Sequence, residues 1–217
     1  EPEFTWERTD KAAALKADVC EIFTDVDGVY TSDPNLCRSA RKLAKVSYDE
    51  MLEMASAGAK VLHPRSVELA KKYAVPVYVK SSSTDNEGTL VTKEDEEMEA
   101  VVVSGVTYDR DQAKVTVVRV PDRPGIAARL FTTLSDRKIP VDMIIQNASI
   151  DAYTDLSFTV SRKDMKEVER LIGPVVQEIG AQGVQYDQNI SKVSIVGVGM
   201  RSHAGVASRM FAALAKE

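Results

Sequence analysis

The pattern of apolar and polar positions repeats along this chain. Residues 115–120, VTVVRV, form a nearly continuous β-branched run, as expected of a central strand. Pro124 and Gly125 follow, and Ala127, Leu130, Phe131 and Leu134 then recur at helical spacing. The same strand, loop and helix return about 80 residues later. Val115, Val117 and Val118 correspond to Val193, Ile195 and Val196, and Gly125-Ile126-Ala127 to Gly205-Val206-Ala207. An offset of one small-domain length marks a domain duplication rather than a solenoid. The first copy continues into Ile139, Pro140, Val141 and Asp142, whereas the second stops at Glu217. The chain is therefore expected to be part of a longer protein.

Elsewhere the pattern alternates between strands and helices. Residues 1–10 have no clean period, and 11–16 are Ala-rich and predict a helix. Residues 19–24 predict a strand and 25–34, DVDGVYTSDP, a turn-rich loop. Ser47 and Glu50 form a capping box ahead of Met51, Leu52, Met54 and Ala55, so a helix starts there and ends near Gly58. Pro64 suits the first turn of the next helix, with Val67, Ala70 and Tyr73 on one face. Strands at 75–80 and 89–92 complete what reads as an α/β layer with parallel strands. The acidic run 93–99 reads as a solvated linker and sets the domain boundary. A strand over 99–107 precedes the first repeat. After the repeat's helix come strands at 141–146 and 155–160. A helix capped by 161–164 follows, with Met165, Val168, Leu171, Ile172, Val175, Val176 and Ile179 on its apolar face, and then a last strand at 184–186. The order βαββαβ is the ferredoxin-like pattern. The expected divisions are 1–92, 93–113, 114–190 and 191–217.

Composition narrows the class. The chain is 44% hydrophobic and 28% charged, as a soluble globular protein is. A net charge of -5 gives no electrostatic reason to bind nucleic acid or an anionic membrane. No apolar run is long enough to span a bilayer. Cys20 and Cys37 fit no CxxC pattern and suit a reducing, cytoplasmic setting.

Several motifs fail on inspection. Asp25-Val26-Asp27-Gly28 resembles a calcium loop, but its Gly is misplaced and Leu36 stands where the closing Glu belongs. Gly197-Val198-Gly199 lacks the third Gly of a dinucleotide fingerprint, Ser202 taking its place, and is explained by the repeat. His63 and His203 lie in no metal-ligand spacing, and no metal site is expected. His63 precedes a Pro at a helix start, which suits a structural role. Two features remain. Lys60, near Gly58 and a helix start, either places its ammonium on a phosphate or stays solvated. Pro121-Asp122-Arg123-Pro124-Gly125 leads into a helix whose free N–H groups suit a carboxylate, and Gly125 admits a close ligand. Asp122 either takes an ammonium or caps the helix. With the amides of Gln146 and Asn147, this loop suits the head group of a free α-amino acid.

These residues resemble a known family. FTDVDGVYTSDP, VSYDEMLEMASAGAKVLHPRSVELAKK and VPVYVKSSS with GTLV resemble the C-terminal part of the aspartokinase catalytic domain. The two copies of the repeat resemble its paired ACT regulatory domains, and the likeness runs from about residue 12 to the end. The resemblance implies an amino-acid-kinase α/β fold followed by ferredoxin-like ACT domains, the second of them incomplete. It implies phosphorylation of L-aspartate at its β-carboxylate by ATP with Mg²⁺. Thr24, Asp25, Tyr30, Lys60 and Val61 would contact the nucleotide. Asp122, Gly125, Ile126, Ala127, Pro140, Val141, Asp142 and Gln146 would line an effector site for lysine or threonine, with Val206 and Ala207 at the equivalent start in the second copy. The effector would lie between ACT units of two subunits, in a homo- or hetero-oligomer. The strand before the first ACT unit, within 93–113, would belong to the second. The sequence also departs from the family. Its N-terminal lobe is absent, residues 1–10 stand where a Gly-rich segment is expected, and Asn35 replaces an Arg that contacts ATP. The piece alone is therefore expected not to catalyse. The alternative is a non-catalytic amino-acid-binding regulatory module, of the kind that some members start near the position of Met98.

Overall fold

The computed structural model describes residues 5–149 and 151–216. The chain divides into two compact units, Glu1–Tyr108 with Val193–Glu217, and Asp109–Lys192.

The first unit opens with helix α1 (Thr5–Ala14) and strand β1 (Cys20–Thr24). Strand β2 (Lys45–Ser47), helices α2 (Tyr48–Ser56) and α3 (Pro64–Tyr73), and strands β3 (Val77–Ser81) and β4 (Thr89–Thr92) follow. Helix α1 begins well before the predicted residue 11. The first part of its inner face is polar, ahead of Ala12 and Ala13 against the core: Thr9 donates to the Thr5 carbonyl, and its Oγ1 lies 2.7 Å from Ser66 Oγ on α3. Buried hydroxyl pairs leave no apolar period to read. Helix α2 starts as its capping box requires. Ser47 Oγ accepts from Glu50 N, and the Glu50 carboxylate accepts from Ser47 N. Pro64 occupies the first turn of α3, and His63 caps it, Nδ1 accepting from Arg65 N. Val67 and Ala70 are buried as predicted, but Tyr73 is exposed.

The sheet order is β1-β3-β4-β2. Pairs β1/β3 and β2/β4 are parallel, but β3 and β4 are antiparallel, which corrects the expectation of a parallel layer. The loop 82–88 holds no crossover helix and therefore returns the chain beside the strand it has just left. Ile22, Val46, Met51, Met54, Leu62, Val67 and Val79 form the core. The acidic run includes one short helix, α4 (Glu96–Glu99), capped by Asp95, and Lys45 bridges Asp95 and Glu97.

The repeat contributes β5 (Gly105–Pro121), α5 (Ile126–Ser135), β6 (Ile144–Gln146), β7 (Tyr153–Val160), α6 (Met165–Glu178) and β8 (Gly183–Val196). Their order is βαββαβ, with the sheet arranged β6-β7-β5-β8. The strands predicted at 99–107 and 115–120 are one strand, because the extended backbone continues through a polar stretch in which Arg110 and Asp111 are exposed while Thr107 and Gln112 are buried. It begins only at Gly105. Likewise β8 runs from 183 into the second copy. The apolar face of α6 packs as predicted, with Met165, Val168, Ile172, Val175 and Val176 buried. Phe131 meets Phe158 edge-on, ring centroids 5.4 Å apart.

Helix α7 (Val206–Leu214) is the second copy of α5. Both helices are capped by a glycine with φ +91°, Gly125 and Gly205, a left-handed conformation that side chains resist. The two helices differ in what covers them. Leu134 is 0% exposed, whereas Leu214 is 61% exposed. Leu134→Ala is therefore expected to cost about 2–5 kcal/mol. Leu214→Ala at the equivalent position should cost less than about 0.5 kcal/mol. Urea unfolding of both variants measures the contrast, and equal costs would contradict it.

Candidate functional site

The nucleotide contacts implied by resemblance lie in the first unit. Thr24 ends β1 beside Ser81, which ends β3. Helix α3 finishes just before β3 begins, so its start and the turn 57–63 lie toward the end where β1 and β3 finish. Ligands of open α/β sheets bind outside the carboxyl ends of the strands. The fold thus brings the loop after Thr24 and the turn carrying Lys60 to one end of the sheet.

The loop is tightly built. Gly28 has φ +148°, and a Cβ there would lie 2.6 Å from Thr89 Oγ1. The Thr89 hydroxyl accepts from Val29 N at 2.8 Å and donates to the Leu43 carbonyl at 2.6 Å, pinning both limbs of the loop. Tyr30 donates its hydroxyl to Asp27 Oδ1 at 2.9 Å, and Lys42 Nζ lies 3.2 Å from Asp27 Oδ2. Burial pushes the Asp27 carboxyl up, but the Tyr30 hydroxyl and the Lys42 ammonium outweigh it and hold the group below the usual carboxylate range. The hydrogen bond to Asp27, and then burial, raise the Tyr30 hydroxyl. The roles of Asp27 and Thr89 were not read from the sequence, where Asp27 figured only in a rejected calcium loop and Thr89 only as the start of a strand. The only local signal was an Asp in a turn and a Thr following a Gly.

Asp25 and Lys60 are exposed, and Lys60 makes no ion pair or hydrogen bond among the described residues. Val61 is half-buried against the core. Asn35 is exposed, its N–H donating to Asp33.

The second candidate lies in the other unit, where Asp122 follows β5. Its N–H donates to the Ala152 carbonyl, and its side chain is exposed. Helix α5 has no side-chain cap, so Asp122 does not serve as one. Gly125, Ile126 and Ala127 open the helix, where Ile126 N donates weakly to the Arg123 carbonyl at 3.4 Å. Gln146, exposed on β6, is in register with Leu156, toward this end of the sheet. Pro140, Val141 and Asp142 lie toward the opposite end, where Asp142 N donates to the Thr159 carbonyl. Asp142 also pairs with Lys192. The eight positions implied in this unit therefore form two groups rather than one pocket. Val206 and Ala207 open α7 in the first unit. His203 Nδ1 lies 2.8 Å from the Gly199 carbonyl, a local contact.

Comparison with known proteins fits this architecture. The family model described as the amino acid kinase family matches residues 9–81, and one described as an ACT domain matches 115–173 and 193–217. An aspartate kinase of Pseudomonas fluorescens is 55% identical over 207 residues, covering 95% of this chain and 50% of that protein. The structure of E. coli aspartokinase III in complex with aspartate and ADP is 26% identical with a TM-score of 0.79, covering 99% of this chain and 48% of that one. The same enzyme in complex with lysine and aspartate gives 27% and 0.71, covering 97% and 46%. The ligand-free regulatory subunit of aspartate kinase from Thermus thermophilus is 40% identical with a TM-score of 0.50, covering 54% of this chain and 76% of that one. The chain spans about half the length of the curated relatives it matches. A kinase-type α/β sheet followed by ACT repeats defines the class of proteins that combine an amino-acid-kinase-family domain with ACT domains. Within that class, the chain belongs to the aspartokinase family.

The Asp27 cluster makes a pH-dependent prediction. Its folded pKa is depressed, so its stabilisation is present above the ordinary carboxylate range and lost as pH falls through the lower folded value. Asp27→Asn should lower the melting temperature at neutral pH, with the difference shrinking in acid. A difference constant with pH would contradict this.

Proposed function

We propose that the protein carrying this chain is an aspartate kinase of the cytoplasm, transferring the γ-phosphoryl group of ATP to the β-carboxylate of L-aspartate. The exposed ammonium of Lys60, unpaired among the described residues and placed toward the end where β1 and β3 finish, is the observation that carries this reading. Thr24, Asp25 and Tyr30 hold the nucleotide from the facing loop, Val61 backs the turn, and Lys60 meets the phosphates. Phosphoryl transfer is mostly positioning and charge neutralisation, which a lysine supplies. The described residues hold no cluster of three His, Cys, Asp or Glu able to bind a metal, so Mg²⁺ would arrive on the ATP and add charge neutralisation when bound. The aspartate and ADP bound by E. coli aspartokinase III support this chemistry.

The ACT part would bind lysine or threonine as a feedback effector. The lysine bound by E. coli aspartokinase III favours that class of ligand. Backbone N–H groups of Gly125, Ile126 and Ala127 would take the carboxylate, with Asp122 and Gln146 near the ammonium. Pro140, Val141 and Asp142 lie too far along the sheet to join them in one chain, which favours a site completed by a partner subunit. Val206 and Ala207 would play the same part in the second copy. The kinase part would cover 1–92, with 93–113 as linker and strand, 114–190 as the first ACT unit and 191–217 as the start of the second. Likeness to the Thermus regulatory subunit favours a second reading, a non-catalytic regulatory module. A chain with that role has no need of the kinase match at 9–81.

Lys60→Ala in the complete protein tests the kinase reading. ATP-dependent hydroxamate formation from aspartate should lose at least about tenfold in kcat/KM, about 1.4 kcal/mol, with the circular dichroism spectrum preserved. Unchanged kinetics would return Lys60 to a solvated surface role.

A further inference from the structure

Glu50 is 4% exposed, and its two carboxylate oxygens are both used. Oε2 accepts from Ser47 N at 3.1 Å and Ser47 Oγ at 2.9 Å, which closes the cap of α2. Oε1 accepts from Ser104 Oγ at 2.5 Å and from Val198 N at 3.0 Å. All these donors are neutral. The second pair has no part in capping and comes from Ser104, just before β5, and Val198, within the second copy of the repeat, both far away in sequence.

The same face of α2 carries Met54 one turn on. A Cβ on Gly105 would lie 2.4 Å from Met54 Cε, so the start of β5 packs directly against the helix. Val196 belongs to the same core cluster as Met51 and Met54, and its carbonyl accepts from Ser104 N at 2.8 Å. Residues 104–105 and 196–198 therefore seat on α2 through one buried carboxylate and one methionine. Helix α2 leads into the turn that carries Lys60, where Ala59 N donates to the Met54 carbonyl at 2.8 Å. On the other side Val198 opens the 3-10 turn Val198–Arg201, which leads to Gly205, the cap of α7.

We propose that Glu50 is a positioning residue that couples the start of α7 to the Lys60 turn, so that a ligand acting on the second ACT copy resets the nucleotide end of the sheet. This rests on the roles given above to Lys60 and Val206. The chemistry requires a carboxylate at position 50. A glutamine offers one acceptor oxygen and an NH₂ group. The hydroxyls of Ser47 and Ser104 can rotate to accept from that NH₂, but the N–H groups of Ser47 and Val198 cannot both be served. Ser104→Ala is the milder change, since it weakens the link while leaving the cap of α2 complete.

Amide hydrogen exchange on the whole chain, wild type against Ser104→Ala, reads the coupling without any assumption about activity. Exchange should quicken at least about fivefold both at 198–205 and at 57–63, with α6 unchanged. Quickening confined to 198–205 would overturn the proposal. Glu50→Gln should give the same pattern more strongly, and if it unfolds the first unit, Ser104→Ala still decides. In the complete protein, Ser104→Ala should raise the effector concentration for half-inhibition at least about fivefold, with uninhibited kcat within about twofold. Unchanged inhibition would overturn the coupling. A wild-type protein insensitive to every amino acid would instead overturn the functional reading, and the exchange result would still decide the link.

Discussion

The first unit depends on how a buried carboxylate is satisfied. An ionised group taken from water costs several kcal/mol unless its lone pairs find donors. Glu50 finds them in Ser47, Ser104 and Val198, which the chain supplies from widely separated places. That requirement brings the segment before β5 and the segment after β8 onto α2. The second copy of the repeat is thereby built into the kinase-type core, where Val196 is buried among Val46, Met51 and Met54. The linear order of motifs along the chain therefore differs from its spatial organisation. Residues that read as regulatory by resemblance are structural members of the unit that carries Lys60.

The same economy appears in the loop at the sheet end. Thr89 joins Val29 to Leu43 with a single hydroxyl, and Gly28 leaves the space that hydroxyl occupies. Asp27 gathers Tyr30 and Lys42. A loop held at several points presents Thr24 and Asp25 with little freedom, and preorganisation of this kind reduces the entropy lost on binding. The loop proposed to take the effector, in the other unit, is built differently. Its helix start is open, uncapped by any side chain, and reached over a left-handed glycine.

Where structure follows from neighbours in sequence, it was legible. The capping box of α2, the proline at the start of α3, the apolar face of α6 and the βαββαβ order all rest on short periods that a single pass reveals. The features that were not legible arise from partners distant in sequence. Helix α1 buries Thr5 and Thr9 through hydroxyl contacts, which no apolar period reports. Strand β5 runs on through Asp109, Arg110 and Asp111 because sheet pairing outweighs local polarity. For Glu50 the sequence showed the oxygen that closes the cap and concealed the one that binds Ser104 and Val198. Of the candidate site, Lys60 and the 24–30 loop were visible as motifs, whereas Asp27 and Thr89 act through contacts that only the fold creates. The separation of Asp142 from Asp122 along the sheet was equally hidden: Asp122 follows β5, whereas Asp142 comes after α5 and just before β6.

The proposed role of the ACT units is to take a free amino acid by its zwitterionic head group. Titration calorimetry on the complete protein tests this most directly, using L-lysine and L-threonine beside 6-aminohexanoate and 3-hydroxybutyrate, which lack the α-ammonium. Saturable heat is expected from at least one of the two amino acids and none from its deaminated analogue. Saturable heat from neither amino acid, or equal affinity for the analogue, would contradict it.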